Sequence, residues 1–386
     1  MTARPRILMV GPWPPTKGGV TTFMRNIVRS PLRDKYEFIP FTTSRPGKRN
    51  VKRDNYGYAA VFRGGVKRVV LGILITLWHL AIYPWIVLTR RPGVIQIQAS
   101  DFQAFWESAL YVVMGRLLRR PLVVRIGGSF DRFYEASGSL ARAGIRWTLR
   151  QPAVLIVQSE YWMRYVARLR RAGPTVILGN FVRESLVERR TGRPRSARFL
   201  LCSGEVPKLK GAYVLIEAIR LLSARGIAVD ATIMAVPGPL REHIREAGLA
   251  GQVRMLDFLE HAEALAAIRE ADVFLQISSS EGFPNALLEA MALGCAAIVT
   301  PVGAVPEIVG AEGECAFVIP VGDAGALADR MARLMADPEM LARMAAAAQA
   351  RVLARYTESR LVPVLDHAWQ LAMREGGHLR EARALN

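Results

Sequence analysis

Cysteine is nearly absent: the 386 residues hold three, Cys202, Cys295 and Cys315. So few, without paired spacing, form neither a disulfide framework nor a zinc site, and they suit a reducing compartment. Histidine is also sparse, at five residues. No low-complexity tract or short repeat is present, which excludes a solenoid. The apolar run after the basic N-terminus is only Ile7–Val10, too short for a secretory signal, so export is not expected. Acidic side chains are scarce in the first half: residues 1–200 hold 10 Asp+Glu against 35 Lys+Arg.

What is present favours a folded enzyme-sized chain. Apolar residues make up 51% and charged ones 22%, enough to fill large cores, so disorder is excluded as the main state. At roughly 100–200 residues per domain the length implies two or three domains. The formal charge is +19, but it is unevenly placed. Residues 1–200 carry a net +25 and residues 201–386 a net −6. A basic half suits an anionic partner, either nucleic acid or a phospholipid face. It shows no helix-turn-helix or RNA-recognition signature, so a specific nucleic-acid partner is not expected.

Short apolar runs alternate with amphipathic stretches along the chain. Arg6–Gly11, Val94–Ala99, Pro121–Ile126, Val154–Gln158 and Thr175–Leu178 read as strands in the first half. Phe199–Ser203, Asp230–Met234, Arg254–Phe258, Val273–Ile277, Ala296–Thr300 and Ala316–Ile319 repeat the scheme in the second. Strands alternating with helices imply parallel sheets of βαβ units, hence two doubly wound α/β domains. The expected domains are 1–183 and 198–357, joined by the polar, basic stretch Arg183–Arg198. A last helix in 358–386 is expected to return to the first domain.

Val69–Leu88 is a 20-residue run without formal charge, flanked by Lys67-Arg68 and Arg90-Arg91. By length it qualifies to cross a bilayer. A single span would put Arg6–Gly11 across the membrane from the strands it should pair with. An interfacial helix with its basic flanks on anionic headgroups is therefore preferred. A very apolar core helix is the alternative.

The richest segment runs from Ser279 to Gly294: a loop holding Glu281, then a helix holding Glu289, set between two strands. Its helix would start at the C-terminal edge of the sheet, where ligands of open α/β sheets bind. Backbone N–H groups near Pro284–Leu287 could hold an anion such as a diphosphate. Both carboxylates could face one ligand lying along the helix, and a carboxylate can accept two hydrogen bonds from a vicinal diol. Taken singly, Glu281 could equally be a helix-dipole partner and Glu289 a solvated side chain.

Glu281-x7-Glu289, with Gly282-Phe283-Pro284 between and Glu-Ala-Met-Ala-x-Gly after, resembles the E-x7-E motif of family 4 of the nucleotide-sugar glycosyltransferases (glycosyl transferases group 1). Gly18-Gly19-Val20, Asn180-Phe181-Val182, Gly204 to Lys210-Gly211, Thr300–Gly303 and Pro306–Val309 resemble further segments of that family in the same order. The resemblance implies a GT-B fold, two facing Rossmann-like domains, and a retaining hexose transfer. The donor would be a UDP- or GDP-sugar and the acceptor a glycan or lipid-linked saccharide, in bacterial cell-surface polysaccharide synthesis. It places Glu289 on the ribose diol, Glu281 against the donor sugar and Lys210 on the diphosphate. Gly18 and Gly19 would admit backbone N–H groups to the phosphates. Gly282, Phe283, Pro284, Asn285 and Ala286 would line the donor.

The sequence has no Asp-x-Asp pair, so no metal or other cofactor is expected, and a lysine with helix starts can stabilise the leaving group instead. Three positions depart from the family. Glu205 stands where an arginine usually contacts the diphosphate, leaving either Lys208 as a partial substitute or Glu205 to orient Lys210. Asp257 replaces a glycine, and Gly127 or a neighbour stands where a histidine is usual. Ser129 and Asp131 are the nearest polar candidates there, Asp131 either as a base or as a turn cap. A non-catalytic nucleotide-sugar-binding partner of a membrane transferase is the alternative. The reducing, unexported reading places the protein in the cytoplasm, peripheral to an anionic inner membrane face.

Overall fold

A computed structural model describes residues 4–14, 16, 18–44, 65–170, 173–187, 197–204 and 206–384. They form two compact units, the second being Phe181–Thr357 and the first comprising the described residues on either side of it.

The first unit holds a six-stranded parallel sheet in the order β2-β1-β3-β4-β5-β6. Its strands are β1 (Arg6–Gly11), β2 (Glu37–Thr42), β3 (Val94–Ala99), β4 (Leu122–Ile126), β5 (Val154–Val157) and β6 (Thr175–Ile177). β1, β3, β4 and β5 read as nearly unbroken apolar runs because helices cover both faces of a parallel sheet. β2 is absent from the strands expected above. It is an edge strand with Pro40 in it, and proline inside an apolar run normally argues against a strand. At the edge its missing N–H costs no ladder partner.

The second unit repeats the architecture in the order β12-β11-β10-β7-β8-β9. These are β7 (Arg198–Cys202), β8 (Asp230–Met234), β9 (Val253–Met255), β10 (Val273–Gln276), β11 (Ala296–Val299) and β12 (Ala316–Val318). All neighbours are parallel. Counted from β7, this is the doubly wound 3-2-1-4-5-6 order, which reverses between β7 and β10. In the first unit the reversal falls between β1 and β3. Loops after those four strands therefore lie where such sheets place ligands.

The helix Gly65–Arg90 connects β2 to β3. Tyr83 and Val87 are buried in the first unit's core, while Leu74, Leu77, Trp78 and Trp85 on its other face are 57–64% exposed. Its segment Val70–Arg90 is long and apolar enough to cross a membrane. However, β1 pairs with both β2 and β3, so a span would cut one sheet in two. The last helix, Glu358–Ala384, belongs to the first unit. There Trp369 is fully buried and donates from Nε1 to Gln96 Oε1 at 2.8 Å. Asp366 accepts from Lys35 and Tyr36.

Candidate active site

β10 ends at Gln276, and the chain crosses Ser278–Glu281 before the helix Asn285–Ala292. Glu281 is mostly buried there. Its Oε1 accepts from Ser278 Oγ at 2.7 Å, Gln276 Nε2 at 2.8 Å and Lys210 Nζ at 2.6 Å. Three donors on one oxygen fix the carboxylate firmly. Lys210 comes from the loop after β7, so the pair joins the two strands that flank the sheet's reversal. A backbone bond from Ser279 N–H to Leu209 O, 2.8 Å, ties the same two loops.

Two glycines allow this close approach. Gly211 has φ +80°, and a Cβ there would lie 2.4 Å from Ile277 O. Gly303 has φ +54°, and its Cβ would lie 2.1 Å from Glu281 O. Only glycine meets both conditions without strain.

Glu289 stands one turn into the helix Asn285–Ala292, whose N-terminus carries the positive end of the dipole. Its Oε1 lies 2.8 Å from His261 Nε2, at the start of the helix His261–Glu270. Lys208 is exposed on the 204–211 loop. Gly282, Phe283 and Pro284 are buried. The Phe283 ring packs edge-on to Tyr356 at 5.9 Å, among the core residues of the second unit. Asn285 and Ala286 are partly exposed on the first turn. Glu205 lies outside the described residues. Asp257 pairs with Arg241 at 2.5 Å.

In the first unit, Gly18 caps the helix Gly19–Arg29 with φ +144° and nothing within 4 Å of an added Cβ. That leaves the open backbone a phosphate could approach. Ser129 precedes the helix Phe130–Glu135, and its N–H donates to Asp101 Oδ2 at 3.2 Å. Asp131 sits in that helix's first turn, where Oδ1 accepts from Arg132 N–H at 2.7 Å, a local cap-like bond, and Oδ2 accepts from Tyr161 at 2.7 Å. Burial, then the Asp131 carboxylate, pushes the Tyr161 hydroxyl well above its usual range, so it remains a donor. Arg125, on β4, is 1% exposed. It donates to Asn180 Oδ1 at 2.7 Å and stacks over Phe23 at 3.7 Å. Burial lowers its pKa to about 9.

Four participants were missed by sequence reading. Gln276 and Ser278 hold Glu281 and lie within the strand and loop already singled out. Asp101, just after β3, could have been found from the sheet order alone. His261 had no local signal, since it reaches Glu289 from another helix.

Residues 186–351 match the family described as glycosyl transferases group 1. The second unit is a glycosyl transferases group 1 domain. A 161-residue stretch of the chain is 34% identical to the MMP alpha-(1->4)-mannosyltransferase of Mycolicibacterium hassiacum, covering 41% of this chain and 39% of that protein. A 177-residue stretch is 33% identical to the lipopolysaccharide core biosynthesis mannosyltransferase LpsB of Rhizobium meliloti, covering 44% and 49%. The chain thus spans about two fifths to half of these relatives. The structure of Anabaena Alr3699/HepE in complex with UDP is similar over 97% of this chain and 100% of that one, with TM-score 0.68 and 17% identity. That likeness covers both units and gives the fold, GT-B. The group 1 domain contains Lys210, Glu281 and Glu289, whereas Gly18, Ser129 and Asp131 lie outside its matched stretch.

Proposed function

We propose that this protein is a retaining, metal-independent hexosyltransferase. It takes a UDP- or GDP-sugar as donor and a glycan or lipid-linked acceptor, in bacterial cell-surface polysaccharide synthesis. The observation that carries the reading is the Lys210–Glu281 pair at the sheet reversal, with Glu289 on the adjoining helix start. The sugar C1–O bond to the diphosphate breaks, and the negative charge on the departing phosphate is met by Lys210 and the helix start. The acceptor oxygen forms the new bond to C1, and its proton passes to a base, for which Asp131 is our candidate. Glu289 accepts from the ribose diol. The relatives named above, one in lipopolysaccharide core biosynthesis and one an alpha-mannosyltransferase, support the reaction class. The UDP held by HepE supports the donor class.

We further read the protein as cytoplasmic and peripheral on an anionic membrane face. The exposed apolar face of the 65–90 helix, followed by Arg90 and Arg91, supports that setting.

The test is calorimetric titration with UDP- and GDP-sugars, beside an assay for released nucleotide. Glu289→Gln is expected to lose at least about tenfold in donor affinity, or roughly 1.4 kcal/mol, with an unchanged melting profile. Unchanged affinity would remove the ribose assignment. Donor binding without nucleotide release on any glycan acceptor would favour a non-catalytic, nucleotide-sugar-binding partner of a membrane transferase.

A further inference from the structure

A groove on the first unit takes no part in the transfer described above. It lies between the helices Phe102–Leu117 and Ser139–Leu149. Trp106, Gly144 and Trp147 line two adjoining hollows of about 410 and 790 Å³, in the range of small-ligand sites, roughly 300–1,000 Å³. The first hollow reaches Thr76 on the 65–90 helix, and the second runs out to Leu140, Arg146 and Arg150. The groove is open because Gly144 has no side chain; a Cβ there would meet the Trp106 ring at 3.1 Å.

The lining has the polarity of an amphiphile. Its walls are largely apolar, and Leu140, 88% exposed, extends them to the surface. One end carries two guanidinium groups, of which Arg146 donates to Tyr134 Oη at 2.9 Å. The lining carboxylate, Glu107, is at the other hollow, 3.8 Å from His79 Nδ1 and 3.2 Å from Tyr111 Oη. Thr76, from the inward-facing stripe of the 65–90 helix that includes His79 and Tyr83, bounds the first hollow on one side. Trp78, Trp85 and Trp147 on these helices are exposed, and tryptophan favours the membrane–water boundary.

We propose that this groove receives the hydrocarbon chain of a phosphate-bearing lipid, with Arg146 and Arg150 on the phosphate. The inference rests on the peripheral-membrane reading for the source of the lipid, but its ligand chemistry stands on the groove alone. The probe is dodecyl phosphate below its micelle concentration, titrated calorimetrically into the full chain. Saturable one-to-one binding is expected. Ala143→Trp, at an exposed helical position lining the second hollow, should weaken it by about tenfold or more with the melting profile unchanged. Arg146→Gln combined with Arg150→Gln should weaken dodecyl phosphate but leave dodecanol unaffected. No binding, equal binding by Ala143→Trp, or a dimer that buries Leu140 and Trp147 would overturn the proposal. Flotation with vesicles of equimolar phosphatidylglycerol and phosphatidylcholine is measured in parallel. If the unsubstituted protein binds dodecyl phosphate but does not float, the membrane setting falls and the groove stands.

Discussion

Gly303 holds the candidate site in shape from behind. Its φ of +54° and the 2.1 Å approach of an added Cβ to Glu281 O mean that Gly303→Ala must push the Glu281 loop away or distort its own turn. Substitutions at such positions cost more than about 1 kcal/mol. Here the displaced segment carries Glu281, which Ala304 N–H also anchors through Gly282 O at 3.1 Å. The expected outcome is a lowered melting temperature together with loss of donor binding, read by calorimetry. A variant that binds donor normally would show that the loop position does not matter. At this scale the sequence was informative where function and local motif coincide. Glu281, Glu289 and Lys210 could be singled out because the segments that hold them, Glu281-x7-Glu289 and Gly204 to Lys210-Gly211, resemble motifs of one family. His261 could not, because its contact with Glu289 joins residues 28 apart on separate helices. Phe283 shows what a motif leaves open: a residue inside it can turn its ring inward, here against Tyr356.

The element scale is best seen in the 65–90 helix. Composition marked it as apolar throughout, which does not say which face a tertiary structure covers. Tyr83 is 0% exposed and Trp78 is 64% exposed on the same helix. Truncating the two should therefore have opposite consequences. Tyr83→Ala leaves a cavity against Phe41 and Tyr111, whose rings lie 5.5 and 5.1 Å away, and should cost about 3–5 kcal/mol in urea unfolding, the range for buried aromatics. Leu77→Glu with Trp78→Glu should change stability by no more than about 0.5 kcal/mol each, as exposed positions do, yet abolish flotation with anionic vesicles. Retained flotation would dissociate this helix from membrane binding. The twelve strands illustrate the converse case. Eleven follow from apolar runs of the right length, since parallel sheets are buried on both faces. β2 escaped because it is half-exposed, at the edge and interrupted by Pro40.

At the scale of the whole molecule, the two halves of the sequence differ in charge while their sheets share one architecture. The alternation of strand and helix revealed that architecture, and the last helix, expected to return to the first domain, belongs to the first unit. Asp366 on that helix faces Lys35, Tyr36 and Gln370. Burial raises its pKa, but the bonds from Lys35 and Tyr36 outweigh this and hold it below the ordinary 3.8. A carboxyl with a depressed folded pKa contributes stability that is fully present above its unfolded value and is lost as pH falls through the folded one. Acid should therefore destabilise the first unit more steeply, below about pH 3.8, in the native chain than in Asp366→Asn, as followed by melting temperature against pH. Parallel curves would remove Asp366 from the acid response.

Three residues on, Trp369 gives the test of whether this helix belongs energetically where it lies. Its ring is fully buried, edge-on to Tyr36 at 5.3 Å and Phe38 at 5.8 Å, and its Nε1 bonds to Gln96 in the central strand β3. Trp369→Ala removes a large apolar surface and leaves the Gln96 carbonyl without that bond. A loss of about 3–5 kcal/mol follows for a buried tryptophan, with about 1–3 kcal/mol of that range attributable to a newly unpaired buried group. All these contacts lie in the first unit, although Trp369 follows the whole of the second in sequence. Scanning calorimetry should then show the first unit's transition moving down while the transition of Phe181–Thr357 stays in place. If both transitions move together, the two units unfold as one cooperative block, and the last helix stabilises the whole chain, not the first unit alone.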